Sequence, residues 1–173
     1  GKGEGCAIFV RHALTTEPEW KEYVFTDHST HIALGVTFAG VSVVSTHLKW
    51  EPESTPKEEH RGRIQLGEVL ETWPTGPRII CGDFNAEPNS DVVALALERG
   101  FIDAYASLPN AYTCNANGKK KRIDFILHSP DFKSTPTPLP PVEDDTPLPS
   151  ETEPSDHLPI EAVLERQDPN RKA

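Results

Sequence analysis

The chain is short of cations, short of cysteine and free of any long apolar run. Seventeen Lys and Arg face twenty-seven Asp and Glu over 173 residues, a formal charge of −10. That deficit excludes a broad, sequence-blind duplex binder, whose phosphate contacts are made by Lys and Arg. The three cysteines, Cys6, Cys81 and Cys114, are odd in number and widely spaced, with no CxxC pair to hold zinc. They argue against a disulfide framework and for a reducing, intracellular and cytoplasmic setting. No stretch approaches the roughly 20 apolar residues of a membrane helix, so a spanning helix is excluded. The first residues, GKGEGCAIFV, run into a strand-like segment and do not read as a signal peptide. Internal repeats are also absent.

What is present suffices for one domain. The hydrophobic share is 36%, with three Trp and seven Phe to anchor a core. Charge is uneven: Glu143 to Asp156 holds six acids and no bases, and the remainder carries only −4. Strand patterns run through CAIFVR from Cys6 to Arg11, EYVFTDH from Glu22, and HIALGVTFAGVSVVSTHL. In the last of these, Ala39-Gly40 marks a hairpin. Thr55, Pro56 and Glu58 read as a capping box that starts a helix, with Leu66, Val69, Leu70 and Trp73 as its apolar face. RIICGDFN reads as a buried strand ending in a loop. A second helix over roughly 91–99 starts at Asn89 or Ser90 and stops at Gly100. KRIDFILHS and LPIEAVLE read as later strands. Between them, residues 130–159 hold nine of the seventeen prolines, a long acidic loop. Strands outnumber helices, and each helix lies between strands, so the fold class is a layered α/β sandwich.

Four stretches place polar residues at or beside apolar strands. His47 ends VSVVST, Asp83 and Asn85 follow RIIC, Asp124 sits within RIDFIL, and Asp156-His157 precedes LPIEAVL. Strand ends present side chains to clefts. Taken singly, GDFN is a turn, SDH a loop pair, His47 a satisfied strand-end histidine and KKKR a solvated turn. Taken together, carboxylates, an amide and imidazoles without cysteine form a hard set suited to Mg²⁺ or Mn²⁺. Phosphoryl chemistry uses such sets for charge neutralisation and water activation. Lys119, Lys120, Lys121 and Arg122 stand close before Asp124 as candidate phosphate contacts. Trp50 and Tyr112 are candidate stacking faces for a base.

The ordered motifs STHLKWEP, ICGDFNAEPNS, RIDFILHS and PSDHLPIEA resemble the endonuclease/exonuclease/phosphatase superfamily, across roughly the last two thirds of its domain. THLKWEP, GDFNAEP and PSDHLP look most like the branch of the carbon-catabolite-repressor-type deadenylases and nocturnin. The resemblance implies a four-layer αββα sandwich, with residues 1–166 a partial domain, the loop 130–159 inside it and 167–173 a frayed tail. It implies a divalent-metal-dependent phosphodiester hydrolase, a nuclease acting on single-stranded RNA such as poly(A). It also allows a phosphatase acting on a phosphorylated nucleotide or cofactor. By the same resemblance Asp83 positions or deprotonates water and approaches the metal with Asp156. Asn85 holds that water or a phosphate oxygen, His157 stabilises the phosphate, Asp124 orients His157, and His47 contacts phosphate from the opposite side. Family members carry an Asn and a metal-binding Glu in a QE motif upstream of the segment matching GCAIFVR, and no QE occurs here. The expectations that follow are a fragment of a longer protein, a domain whose N-terminal half is supplied separately, or a short form. A non-catalytic interaction module that has lost the metal is the rival from another class.

Overall fold

Alternating small and β-branched residues build the centre of the molecule as a sheet, and two short amphipathic helices close one of its faces. The computed structural model describes residues 5–11, 17–116 and 118–167. Its strands are β1 (Glu19–Val24), β2 (Ile32–Phe38), β3 (Val41–His47), β4 (Arg78–Asp83), β5 (Ile102–Asp103), β6 (Cys114–Ala116), β7 (Lys119–Lys121), β8 (Asp124–His128), β9 (Phe132–Pro136) and β10 (Ala162–Arg166). The helices are α1 (Arg61–Thr72) and α2 (Asp91–Glu98). Six strands form one mixed sheet in the order β1-β2-β3-β4-β8-β5; β9 pairs with β10 and β6 with β7 in two small sheets. Among the described strands only β3 and β4 run parallel, and α1 makes the crossover that a parallel pair requires. This is the sheet-dominated α/β architecture expected from the sequence. No helix among the described residues is long and apolar enough to cross a membrane.

The predicted helix face is the one that packs. Leu66, Val69, Leu70 and Trp73 meet Val92, Val93 and Ala96 of α2, and Val44, Ile80, Phe125 and Leu127 of the sheet, in one buried cluster. The hairpin forms as expected, with Ala39 and Gly40 both in the left-handed region at φ 48° and 72°. Two such residues match the right-handed twist of the flanking strands. Ser90 caps α2 by accepting the Val93 N–H, and Gly100, at φ 83°, follows its end.

Four expectations are corrected. The helix does not begin at Thr55: Pro56 to His60 closes a turn of its own. His60, extended at φ −68° and ψ 103°, then caps α1 by accepting the Arg63 N–H on Nδ1. Cys6–Arg11 alternates in exposure, with Cys6, Ile8 and Val10 half-buried and Phe9 96% exposed, yet it forms no strand and no described strand pairs with it. The run 130–159 is not loop throughout, because Phe132–Pro136 pairs antiparallel with Ala162–Arg166. Proline is tolerated there because it stands only at the end of β9, where its missing N–H costs little. The run KRIDFILHS is not one strand either: Lys119–Lys121 pairs with β6 and Asp124–His128 with β4. Except for Gln167, the predicted tail lies outside the described residues.

Candidate active site

Register brings three of the predicted residues side by side. His47 is opposite Asp83 across β3 and β4, and Asp83 is opposite Asp124 across β4 and β8. Successive side chains alternate, so while Val44, Ile80, Phe125 and Leu127 enter the helix-covered core, His47, Asp83 and Asp124 emerge together on the other face. The motif's glycine has a steric reason. Gly82 sits at φ +143°, and a Cβ there would lie 1.8 Å from the Thr46 carbonyl oxygen. Beyond it the chain turns: Asp83 Oδ1 accepts the Asn85 N–H at 2.7 Å, and Asn85 takes φ 50°, which an asparagine tolerates.

Asn85 Nδ2 donates to the Leu48 carbonyl at 3.0 Å and lies 3.0 Å from His47 Nε2. Behind His47, His31 Nδ1 is 2.8 Å from the His47 carbonyl oxygen, and the two rings meet edge to face. From the far loop, His157 Nδ1 reaches Asp124 Oδ2 at 2.9 Å, while its Nε2 lies 3.9 Å from Asp83 Oδ2. The contact to Asp124 is the main reason the His157 pKa rises to about 9; burial opposes it, and Asp83 and Asp156 add attraction. His157 is therefore a cation at neutral pH, held between carboxylates. Burial pushes the Asp83 carboxyl above its ordinary value and Asp124 reinforces this, against the Asn85 N–H and the two histidines.

Asp83, Asp124 and His157 place donor atoms within 4.8 Å of one another. Two carboxylates are the oxygen donors Mg²⁺ or Mn²⁺ prefers, with remaining positions open to water and substrate. The set fits a hard divalent cation, and among the described residues no glutamate joins it. Asp156 is not brought into this group: its carboxylate stands with Cys114 and His157.

The basic run divides. Arg122 is buried, its Nη2 2.6 Å from Asp103 Oδ2 and its guanidinium over the Phe125 ring, so the expected substrate contact is corrected to a structural ion pair. Lys120 lies over the Tyr112 ring and pairs with Glu143, while its backbone N–H donates to Asp144, so the two half-exposed side chains are engaged with each other and with the acidic loop. Lys119 is exposed. Lys121 lines a cleft of about 880 Å³ with Trp50, Asn85, Glu87 and Asp91. Trp50, 57% exposed, stands at this cleft beside the site.

Sequence reasoning missed Thr113. Its Oγ1 accepts the N–H groups of Ile123 and Asp124, its own N–H donates to Lys121, and its carbonyl accepts the Leu158 N–H. One buried residue thus ties Asp124, the basic hairpin and the His157 loop together. Nothing in the string AYTCN marks it, because its partners are distant in sequence.

The sequence pattern of the Endonuclease/Exonuclease/phosphatase family matches residues 1–157. The chain belongs to this family. No curated protein matches it in sequence. Among solved structures it is similar to the human nocturnin catalytic domain with bound sulfate, at 20% identity and TM-score 0.61, over 88% of this chain and 60% of that one. It is also similar to ANGEL2, described as a 2',3'-cyclic phosphatase in complex with adenosine-2',3'-vanadate, at 18% identity and TM-score 0.60, over 86% and 66%. A mannosyl-6-phosphatase of Bacteroides thetaiotaomicron matches at 19% identity and TM-score 0.54, over 78% and 57%. The chain therefore spans about three fifths of the nocturnin domain's length.

Proposed function

We propose that this chain carries the water-activating and phosphate-stabilising half of a divalent-metal-dependent phosphoester hydrolase, and that its substrate is a phosphorylated nucleotide. The observation that supports the chemistry most directly is the bridge from Asp124 through the His157 ring toward Asp83, at 2.9 Å and 3.9 Å. Asp124 holds the imidazole by Nδ1 and leaves Nε2–H to donate to a phosphoryl oxygen. Asp83 in its ionised form takes a proton from water, whose oxygen attacks phosphorus as the ester bond to the leaving oxygen breaks. A bound divalent cation supplies charge neutralisation at the phosphoryl oxygens and eases water ionisation. Asn85 and His47 flank the attack position.

For substrate size, the disposition of the cations favours the compact reading. Lys120 and Arg122 are committed to acidic partners, and the cleft beside Asn85 carries Glu53, Glu87 and Asp91 against Lys121, its Glu51 being paired with Arg61. An anionic rim disfavours a long polyphosphate backbone. The cleft has room for a nucleotide, with Trp50 as the base platform. Single-stranded RNA remains the second reading, supported by the same exposed Trp50 and by Lys119. The part of the family domain beyond this chain would supply the remaining acidic ligand.

The test uses the full-length protein with Mg²⁺. Asp83→Ala is expected to lower turnover by about 10²–10⁴, as for removal of a general base, with the thermal midpoint little changed. A destabilised variant with near-normal turnover per folded molecule would refute the role. Phosphate release from adenosine monophosphates exceeding shortening of oligoadenylate supports the compact substrate; the reverse order supports RNA.

A further inference from the structure

A second donor set meets at His157, and its chemistry differs from the first. Cys114 forms an isolated antiparallel bridge with His157. The flanking bonds run from the Leu158 N–H to the Thr113 carbonyl at 2.7 Å and from the Asn115 N–H to the Asp156 carbonyl at 3.4 Å. Cys114 and His157 are therefore the close, non-hydrogen-bonded type of cross-strand pair, whose side chains share a face. The chain bends at Ser155 and Asp156. That bend lets the Asp156 carboxylate join them, so that it, Cys114 Sγ and a His157 ring nitrogen lie within 4.8 Å of one another.

Thiolate, imidazole and carboxylate together are ligands for a borderline-soft cation, whereas Mg²⁺ avoids sulfur. Tetrahedral zinc bonds of about 2.0–2.3 Å set donors roughly 3.3–3.8 Å apart. Side-chain rotations closing each gap by up to about 1.5 Å complete three positions, and water takes the fourth. Cys114 is buried, but Asp156 is exposed and His157 half-buried, so the carboxylate side gives an ion its approach. Binding releases to solvent the thiol proton of Cys114 and one proton of the His157 imidazolium.

We propose that Cys114, Asp156 and His157 form a site for a zinc-class divalent cation, and that its occupation engages a His157 ring nitrogen, discharges the ring and stops hydrolysis. The first half stands on geometry and donor chemistry alone; the second rests on the role given to His157 above.

Cobalt titration of this chain tests the site without any assay of activity. One Co²⁺ per chain is expected to produce a near-ultraviolet thiolate-to-metal band that Zn²⁺ displaces. The band should persist in a Cys6→Ser/Cys81→Ser variant and vanish in Cys114→Ser. No band in the unaltered chain, or a band that survives Cys114→Ser, overturns the proposal. Should Cys114→Ser fail to fold, X-ray absorption of the zinc-loaded unaltered chain decides: one sulfur at about 2.3 Å supports the site, and a shell of nitrogen and oxygen alone overturns it. In the full-length protein with saturating Mg²⁺, stoichiometric Zn²⁺ is expected to cut turnover at least tenfold, reversibly on chelation. Zinc that binds through sulfur yet leaves turnover intact overturns the switch. If the full-length protein hydrolyses no phosphoester even without zinc, the functional reading fails, while the cobalt band still decides the site.

Discussion

The two faces of the six-stranded sheet are made by the same strands and have opposite characters. On one face Val44, Ile80, Phe125 and Leu127, each at most 2% exposed, are closed over by α1 and α2. On the other, His47, Asp83 and Asp124 stand in a row at one end, with Ile79, Cys81 and Ile126 along a shallow apolar depression beside them. Neighbouring residues on one strand, Phe125 beside Asp124 and Phe84 beside Asp83, belong to opposite worlds. The closed face supplies rigidity through dispersion and burial. The open face keeps ionisable groups partly desolvated, which raises both the Asp83 carboxyl and the Cys81 thiol, the latter to about 11. A rigid closed side is what allows the open side to hold charges at fixed separations.

Substitutions on each side should separate stability from chemistry. Phe125→Ala, on the closed face, is expected to cost about 3–5 kcal/mol in denaturant unfolding while leaving turnover per folded molecule largely intact. That is the mirror image of Asp83→Ala, and a Phe125 variant with unchanged stability would break the comparison. A smaller effect concerns His157. Its pKa is raised from an ordinary 6.5 to about 9, so its contribution to stability is fully present below about 6.5 and is lost as pH rises through 9. Nuclear magnetic resonance titration of the metal-free chain should find the His157 ring cationic at pH 8. The stability difference between the parent and His157→Gln should shrink across that window; a ring titrating near 6.5 would contradict the Asp124 contact. The smallest effect is expected at Lys120, which sits on the solvated rim with Glu143. Lys120→Ala should leave the thermal midpoint nearly unchanged, as for a solvent-screened surface pair. A larger loss would mean that the acidic loop is held mainly through this ion pair.

Much of this was legible in the residues. The alternation of VSVVSTH and RIDFIL placed Asp124 opposite its apolar neighbours, and the Ala39-Gly40 turn set the β2–β3 register. The helix face was read correctly, but not its start. A capping box at Thr55 is a local pattern, whereas the buried His60 takes the cap through contacts that local pattern does not contain. The substrate contacts were the weakest reading. KKKR looks uniform in sequence, yet its residues differ in surroundings: Asp103 for Arg122, Glu143 and Asp144 for Lys120, the cleft for Lys121 and solvent for Lys119. The acidic run at 143–156 was visible as charge, and opposite charge to the basic hairpin was the one available signal that the two would meet.

By itself the sequence determined the central strands β2, β3 and β4, the helix faces, the turn glycines and the order of the motifs, because these depend on periodicity and on backbone conformations open to few residue types. Tertiary structure alone decided which charges are spent and which are available. It decided that Arg122 is interior, that Thr113 links three segments, and that Cys114 comes to share His157 with Asp156. The physical reason is sequence separation. Register across β3, β4 and β8, and the bridge between Cys114 and His157, join residues tens of positions apart, and electrostatic partnership acts through space at a few ångströms whatever the distance along the chain.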